Sequence, residues 1–363
     1  MKIIVSQKNL KKALSLVDKI VSKNSSLPIL SNILIKTENG RLRLSATNLE
    51  IGINSFIGVK IDEPGEIAVP ARIFSDFISN IDDDKINLSV KNNILSIGSD
   101  KYKTQILGFN SKDFPIIPKL KSDPFISINS KILKNALASV IDSASLSESR
   151  PELAGIYCNF MDKKAYFAST DSFRLSEKIL NHPSKNSTTF ILPRNTTLEI
   201  IRITGDIEGE LNLRFSDNQI SILNEDIEII SRVIDGNYPD YRKVIPDKFI
   251  SKVLVNKEDL EKKSRLAGIF SSNISDIKIS CNENNLNLSA KNSDKGEIFI
   301  STEASLKGEP FEVSLNYHYL LDGLKIIPTN HVIIEYTGQG SPLILKPEDK
   351  ESDFIYIIMP LRN

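Results

Sequence analysis

Three stretches of this 363-residue chain begin alike: "KIIVSQKNLKKALSLV" (2–17), "FISINSKILKNALASV" (125–140) and "KVLVNKEDLEKKSRLA" (252–267). Each reads as a short strand, a small polar residue (Ser6, Asn129 or Asn256) and a helix. The small polar residue suits an N-cap, whose side-chain oxygen accepts a free amide hydrogen of the first helical turn. Leu10, Leu133 and Leu260 then fall at one place on the three helices. A second echo joins "LRLSATNLEIGI" (42–53), "AYFASTDSFRLS" (165–176) and "LNLSAKNSDKGE" (286–297), alternating strands broken by a polar turn. A third, a strand running into a helix, joins "EIAVPARIFSDFISNI" (66–81), "TFILPRNTTLEIIRI" (189–203) and "FEVSLNYHYLLDGLKII" (311–327). Three echoes in one order at a period of about 120 residues describe repeated domains rather than solenoid turns. Pro-marked breaks at "DFPIIPKLKSDP" (113–124) and "PDYRKVIPDKF" (239–249) place the domains at 1–120, 121–249 and 250–363. Each reads as antiparallel sheet with two helices, an α+β fold.

Charge is balanced overall, with 46 basic and 46 acidic residues, but unevenly placed. The helices expected at 7–23, 71–81, 129–145, 194–204, 256–272 and 316–327 hold fifteen basic and eight acidic residues. The strands and loops carry the opposite excess. Two readings fit: lysines on solvated helix faces with acids in turns, or helices that all face one anionic object. No run is long and apolar enough for a membrane span. The opening "MKIIVSQKNLKKAL" has neither a long apolar core nor a small-residue cleavage site, so no signal peptide is expected. Cys158 and Cys281 sit in apolar strand contexts as reduced packing residues. A cytoplasmic protein is the expectation.

Enzyme signatures are weak. His182, His318 and His331 are isolated and lack metal-ligand spacing. There is no GxxxxGK[ST] phosphate loop, and "GQGSP" (338–342) reads as a turn. Asp82, Asp83 and Asp84 fit a solvated cap between helix and strand better than a metal site. Asp240 beside Arg242 reads as a linker corner with a local ion pair. The stretch "STDSFRL" (169–175) looks most like chemistry, yet its Ser-Thr-Asp frame recurs as "SATN" and "SAKN" in the other repeats. What sets the middle copy apart is Phe173, Arg174 and Leu175. No catalytic residue, metal or cofactor is expected.

The repeat, with "LPILSNILI" (27–35), "VPARIF" (69–74), "TDSFRL" (170–175), "GNYPDYRKVIP" (236–246) and "YIIMPLRN" (356–363), resembles the bacterial DNA sliding clamp, the beta subunit of the replicative polymerase. The resemblance covers essentially the whole chain. It implies a head-to-tail homodimer, a six-domain ring with helices lining a hole around double-stranded DNA, bound without sequence specificity. It also implies a clamp loader that opens the ring. Phosphate contacts from lysine and arginine suit an object that slides, being independent of sequence.

The resemblance further implies a hydrophobic groove for short peptides of the replicative polymerase, the clamp loader, other polymerases and repair proteins. Carried over residue by residue, the middle domain supplies Leu153, Thr170, Phe173, Arg174 and Leu175, and the linker Pro239, Lys243 and Val244. The last domain supplies Ile274, Asn316, Tyr319 and Pro342, and the tail Ile357, Met359, Pro360, Leu361 and Arg362. The apolar tail fits a groove lined by adaptable Met and Leu, and is also compatible with a tail that completes a sheet. Ser172 and Phe173 stand where the family often has Gly and His, Lys243 where arginine is common; Phe173 is expected to wall and narrow the groove. DNA-facing residues would be Lys8, Lys11, Lys12, Asn24, Arg72, Arg150, Arg194 and Arg202, although Asn24 replaces an arginine and Pro151 and Glu152 replace tyrosines. For the dimer joint, Lys101 and Lys103 of one copy would face Glu297 and Glu303 of the other, with Ile269 beside them.

Overall fold

The computed structural model describes residues 1–21, 27–182, 187–216, 218–349 and 353–361. The first repeat runs β1 (Lys2–Ser6), α1 (Gln7–Val17), β2 (Asn32–Glu38), β3 (Arg41–Thr47), β4 (Ile51–Gly58), β5 (Lys60–Glu63), β6 (Glu66–Pro70), α2 (Ala71–Asn80), β7 (Lys85–Lys91), β8 (Ile94–Gly98) and β9 (Lys103–Leu107). The second runs β10 (Ile126–Asn129), α3 (Ser130–Ala138), β11 (Gly155–Met161), β12 (Lys164–Thr170), β13 (Arg174–Asn181), β14 (Thr188–Pro193), α4 (Arg194–Gly205), β15 (Glu210–Ser216), β16 (Gln219–Leu223) and β17 (Ile227–Arg232). The third runs β18 (Ser251–Asn256), α5 (Lys257–Ile269), β19 (Asp276–Asn282), β20 (Asn285–Asn292), β21 (Gly296–Gly308), β22 (Phe311–Asn316), α6 (Tyr317–Ile326), β23 (His331–Tyr336), β24 (Leu343–Pro347) and β25 (Phe354–Ile358).

Alternation of apolar and polar residues sets these strands, as in β7, where Ile86 and Leu88 are buried between exposed neighbours. Two-residue loops close several hairpins: Asn39-Gly40, Asn92-Asn93 and Asp162-Lys163 all take the positive φ that a primed turn requires. α1 buries Leu10, Ala13, Leu14 and Val17, the i, i+3, i+4, i+7 stripe of an amphipathic helix.

The caps follow the sequence in two of three cases. Asn129 accepts from the Lys131 amide and Asn256 from the Asp259 amide, both at 3.0 Å. Ser6 makes no side-chain cap bond. All three helices share another tether instead: the first helical amide donates across the domain, Gln7 to the Asp84 carbonyl, Ser130 to Gly209 and Lys257 to Asn330. The helix expected over 129–145 ends at Ala138 and continues as a 3₁₀ turn over Ile141–Ser143. Side chains from the neighbouring sheet claim that segment, the Ser169 hydroxyl donating to the Val140 carbonyl and Ser176 meeting the Ser143 hydroxyl at 2.6 Å.

By its contacts the chain divides into two compact units, Met1–Leu133 with Leu198–Val233, and Lys134–Thr197 with Ile234–Asn363. Sheet topology explains the division. The first unit holds a 5-stranded sheet, β5-β1-β7-β8-β9, and an 8-stranded sheet, β10-β15-β16-β17-β4-β3-β2-β6. The second holds a 12-stranded sheet, β14-β11-β12-β13-β25-β24-β23-β18-β21-β20-β19-β22. One sheet of the middle repeat thus joins the first repeat through β4 and β17, and the other joins the third through β13 and β25. Among the described residues no helix is long and apolar enough to cross a membrane.

Candidate functional site

The middle repeat's polar turn is a hydrogen-bonded knot. The Thr170 hydroxyl donates to the Arg174 carbonyl at 2.6 Å and accepts from the Ser172 amide at 3.1 Å. Asp171 Oδ1 accepts from the amides of Phe173 and Arg174, at 2.9 and 3.0 Å, while Ser172 takes φ +79°. The catalytic look of "STDS" is therefore turn chemistry. Asp171 Oδ2 accepts from Arg174 Nε at 3.0 Å, and Arg174 Nη1 donates to Asp322 Oδ2 on α6. The guanidinium lies 4.7 Å from the centre of the Tyr319 ring, and the Tyr356 hydroxyl donates to the Tyr319 carbonyl at 2.9 Å. Burial works against the Arg174 cation, but Tyr356, Asp322 and Asp171 outweigh it and hold its pKa above the usual arginine value.

The linker after the middle repeat packs on this turn. Tyr238 accepts from the Thr170 amide at 3.1 Å and stacks on Tyr157 with ring centres 5.1 Å apart. Tyr241 donates to the nearly buried Glu177 carboxylate at 2.5 Å and packs with Ala168, Leu175, Ile344 and Ile357. Burial, then the Glu177 charge, raises the Tyr241 pKa, so its hydroxyl stays a donor. The tail is tied down as well: the Met359 amide donates to the Phe173 carbonyl and the Leu361 amide to Ser314, both at 2.8 Å.

Between turn, linker and tail lies a cavity of about 270 Å³. Of the residues carried over to the groove, Leu153, Thr170, Arg174, Leu175, Pro239, Val244, Ile357 and Met359 line it. The others lie outside the lining. Lys243 pairs with Asp240 at 3.2 Å. Asn316 caps α6 and donates to the Ile274 carbonyl, with the Ile274 side chain exposed. Pro342 accepts from the Thr337 hydroxyl, and Pro360 and Leu361 are half-buried. Phe173, expected as a narrowing wall, turns its ring outward at 60% exposure, because its carbonyl rather than its side chain meets the tail. Arg362 lies outside the described residues. Four lining residues escaped the sequence reading of the groove: Arg150, Ser172, Asp240 and Tyr241. Arg150, DNA-facing by the resemblance, lines this cavity. The position of Tyr241 in the linker, matching Ile117 in the first repeat, was the signal for one of the others.

Three family models match in succession: the DNA polymerase III beta subunit N-terminal domain over residues 1–118, its central domain over 127–240 and its C-terminal domain over 242–362. The chain belongs to the DNA polymerase III beta subunit family. Beta sliding clamps of Staphylococcus epidermidis and Staphylococcus aureus are 28% and 27% identical over 360 residues, 95% of this chain and of each relative. The beta subunit of Streptococcus pyogenes superposes with a TM-score of 0.96 at 26% identity, covering all of both chains. The sliding clamp of Pseudomonas aeruginosa bound to griselimycin gives 0.95 at 25%, again over all of both. The chain is a sliding clamp, a processivity factor of DNA replication, in a family that is not catalytic.

The other residues carried over from this family fall into different settings. Lys8 and Lys12 are exposed on α1, and Lys11 reaches the Ser79 carbonyl at 3.0 Å. Arg72 is exposed, 3.7 Å from Asp76, and Arg194 is half-buried. Arg202 is engaged: it donates to the Ser15 and Leu16 carbonyls at 2.9 and 2.8 Å and pairs with Glu199. It closes the C-terminal end of α1, where a cation meets the helix dipole. Asn24 lies outside the described residues. Lys101 sits in the turn before β9, 3.9 Å from Asp83, whereas Lys103 is exposed on β9. Glu297 lies 3.5 Å from Lys291 on β21, Glu303 is exposed farther along, and Ile269 is exposed at the end of α5.

Proposed function

We propose that two copies of the chain close head to tail into a ring of six clamp domains around duplex DNA, the domains of each copy spanning 1–120, 121–249 and 250–363. The carrying observation is strand pairing inside the chain. At one joint Ile229 lies opposite Ile53, and at the other Tyr356 lies opposite Ser176, equivalent positions of successive repeats. The third member of each set is left over. Among the described residues β9 is an end strand, and β21 from Gly296 to Glu303 pairs on one side only, with β20.

Threading β9 and β21 of two copies at the same register sets Thr104 opposite Ile298. Lys103 then lies diagonal to Glu297, and Lys101 diagonal to Glu303, within reach for long side chains. Leu107 and Phe299 on these edges are 73% and 71% exposed and Ile269 is 58% exposed, apolar surface that closure would cover. Pairing also removes two open sheet edges. Solution mass tests the ring: a dimer near twice 40.6 kDa is expected, and a strict monomer at micromolar concentration would sink it.

In this reading the exposed lysines of α1, with Arg72 and Arg194, face the phosphates and hold DNA by salt-sensitive contacts weak enough to slide. After loading by an ATP-driven loader, the clamp should stay on nicked circles in high salt and leave once they are linearised. The cavity takes short segments of the replicative polymerase catalytic subunit, the clamp loader, other polymerases and repair proteins, and griselimycin as a small ligand. An apolar lining with a few polar groups supports that role. The protein acts in the cytoplasm and catalyses no reaction itself.

A further inference from the structure

We propose that Asp171, Arg174 and Asp322 form an ionic bolt that sets the width of the cavity, so that Arg174 is a positioning residue and not a reader of acidic groups on the ligand. The proposal rests on the cavity being the docking site.

The turn itself supplies the first reason. In the first repeat Asn48 Oδ1 accepts from the amides of Glu50 and Ile51, at 3.0 and 2.9 Å, as Asp171 Oδ1 does in the second. In the third, Asn292 Oδ1 accepts from Asp294 and Lys295. An amide oxygen therefore suffices for the turn. Only the middle repeat carries a carboxylate there, and its second oxygen is spent on Arg174 Nε. The position of Arg174 is Ile51 in the first repeat, which needs no such partner.

The second reason is what the bolt connects. Arg174 begins β13, its side chain only 12% exposed, and Asp322 belongs to α6. The guanidinium spans from turn to helix with Tyr319 under it. Thr170, Ser172, Arg174 and Leu175 line the cavity from the turn and the start of β13, and Met359 hangs from the Phe173 carbonyl beside them. Movement of the turn would thus shift these residues relative to Pro239 and Val244 of the linker, which complete the lining. With two carboxylates already on the guanidinium, an acid on a ligand gains little from it.

Griselimycin titration by calorimetry, with hydrogen exchange on the free proteins, tests the bolt. Asp171→Asn keeps the turn bonds, as Asn48 and Asn292 show, and removes one of the two carboxylates on Arg174, leaving Asp322. The expected result is an unchanged dimer mass, faster amide exchange over 317–326 and griselimycin binding weakened roughly tenfold. In an Arg174→Gln background the same change should have no further effect on either readout. The mirror substitution Asn48→Asp should change neither. Unaltered exchange and affinity in Asp171→Asn would overturn the bolt, as would losses from Asp171 and Arg174 that simply add. Tighter binding of an acidic ligand in Asp171→Asn would support it, since one carboxylate fewer then competes for the guanidinium. If the wild-type chain binds no griselimycin, the docking reading loses its support and the exchange arm alone judges the bolt.

Discussion

At the β4–β17 joint and at the β13–β25 joint the backbone is laid out in the same way. Thr47 donates to the Ile51 carbonyl as Thr170 does to Arg174, Leu49 and Ser172 take φ +77° and +79°, and the Arg232 amide donates to Glu50 as Met359 does to Phe173. The linkers correspond too: Phe114 packs against Leu34 where Tyr238 stacks on Tyr157. The side chains over this frame differ. At the first joint Gly52 lies under Ile117, close enough that an added Cβ would stand 2.8 Å from Ile117 Cγ2. At the second, Leu175 and Tyr241 occupy those places, and beside them Met359, at the position of Arg232, lines a cavity. A structural joint and the proposed docking site thus differ by a handful of side chains on one scaffold, so function has to be read from side chains, not from the fold.

Truncating the residue that most distinguishes the docking joint should have the largest effect. Leu175 is buried at 3% exposure, and Leu175→Ala should destabilise the second unit by about 2–5 kcal/mol. Griselimycin binding should fall with it. A variant that melts as wild type yet loses binding would show that Leu175 contacts the ligand without supporting the core. The reverse graft at the structural joint, Gly52→Leu, forces Ile117 aside and should destabilise by about 1–3 kcal/mol through overpacking. Thermal unfolding measures both, and a neutral Gly52→Leu would mean that Ile117 yields without strain.

The third joint, proposed between copies, should give a smaller effect. Lys103→Glu should weaken the dimer and Glu297→Lys in the same chain should restore it, by about 0.2–1 kcal/mol for an exposed pair. Sedimentation at low and high salt reads the difference, which salt should erase. Equal loss in the single and double variants would place Glu297 away from Lys103 and refute the shared register.

Much of this was legible in the chain because repetition carries geometric information. Helix starts, turn frames and the order of strands could be placed from three aligned copies. The bolt could not, because Asp171 and Asp322 are 151 positions apart and nothing local in "LLDGLK" marks Asp322 as a partner. The setting of Arg202 is hidden for a similar reason: the resemblance gives it as DNA-facing, and nothing near it in sequence shows that the Ser15 and Leu16 carbonyls at the end of α1 engage it. The apolar character of Phe173 suits a wall, but the turn uses its backbone, whose carbonyl holds the Met359 amide.

Acid should separate the two linkers by the smallest margin. The first linker leans on carboxylates: Lys119 bonds Glu38 at 2.9 Å and Ser111 donates to Glu66 at 2.7 Å. Hydrogen bonds from Lys36 and then Ser111 hold the Glu66 carboxyl below its ordinary value of 4.5. At Glu38 burial pulls the other way but is outweighed by Lys119 and Arg43. A carboxylate with a depressed folded pKa stabilises fully above its ordinary value and loses that contribution as pH falls through the folded one. The first linker should therefore loosen below about pH 4.5, by well under the 1 kcal/mol typical of an exposed pair. The second linker is held by the Tyr241 hydroxyl on Glu177, while its Lys243–Asp240 pair is exposed on both sides and Arg242 stands 3.9 Å from Glu177, contacts that add little. Amide exchange over 109–121 should rise between pH 5 and pH 3 before that over 236–246, and earlier loosening of the second linker would reverse the assignment of which joint depends on charge.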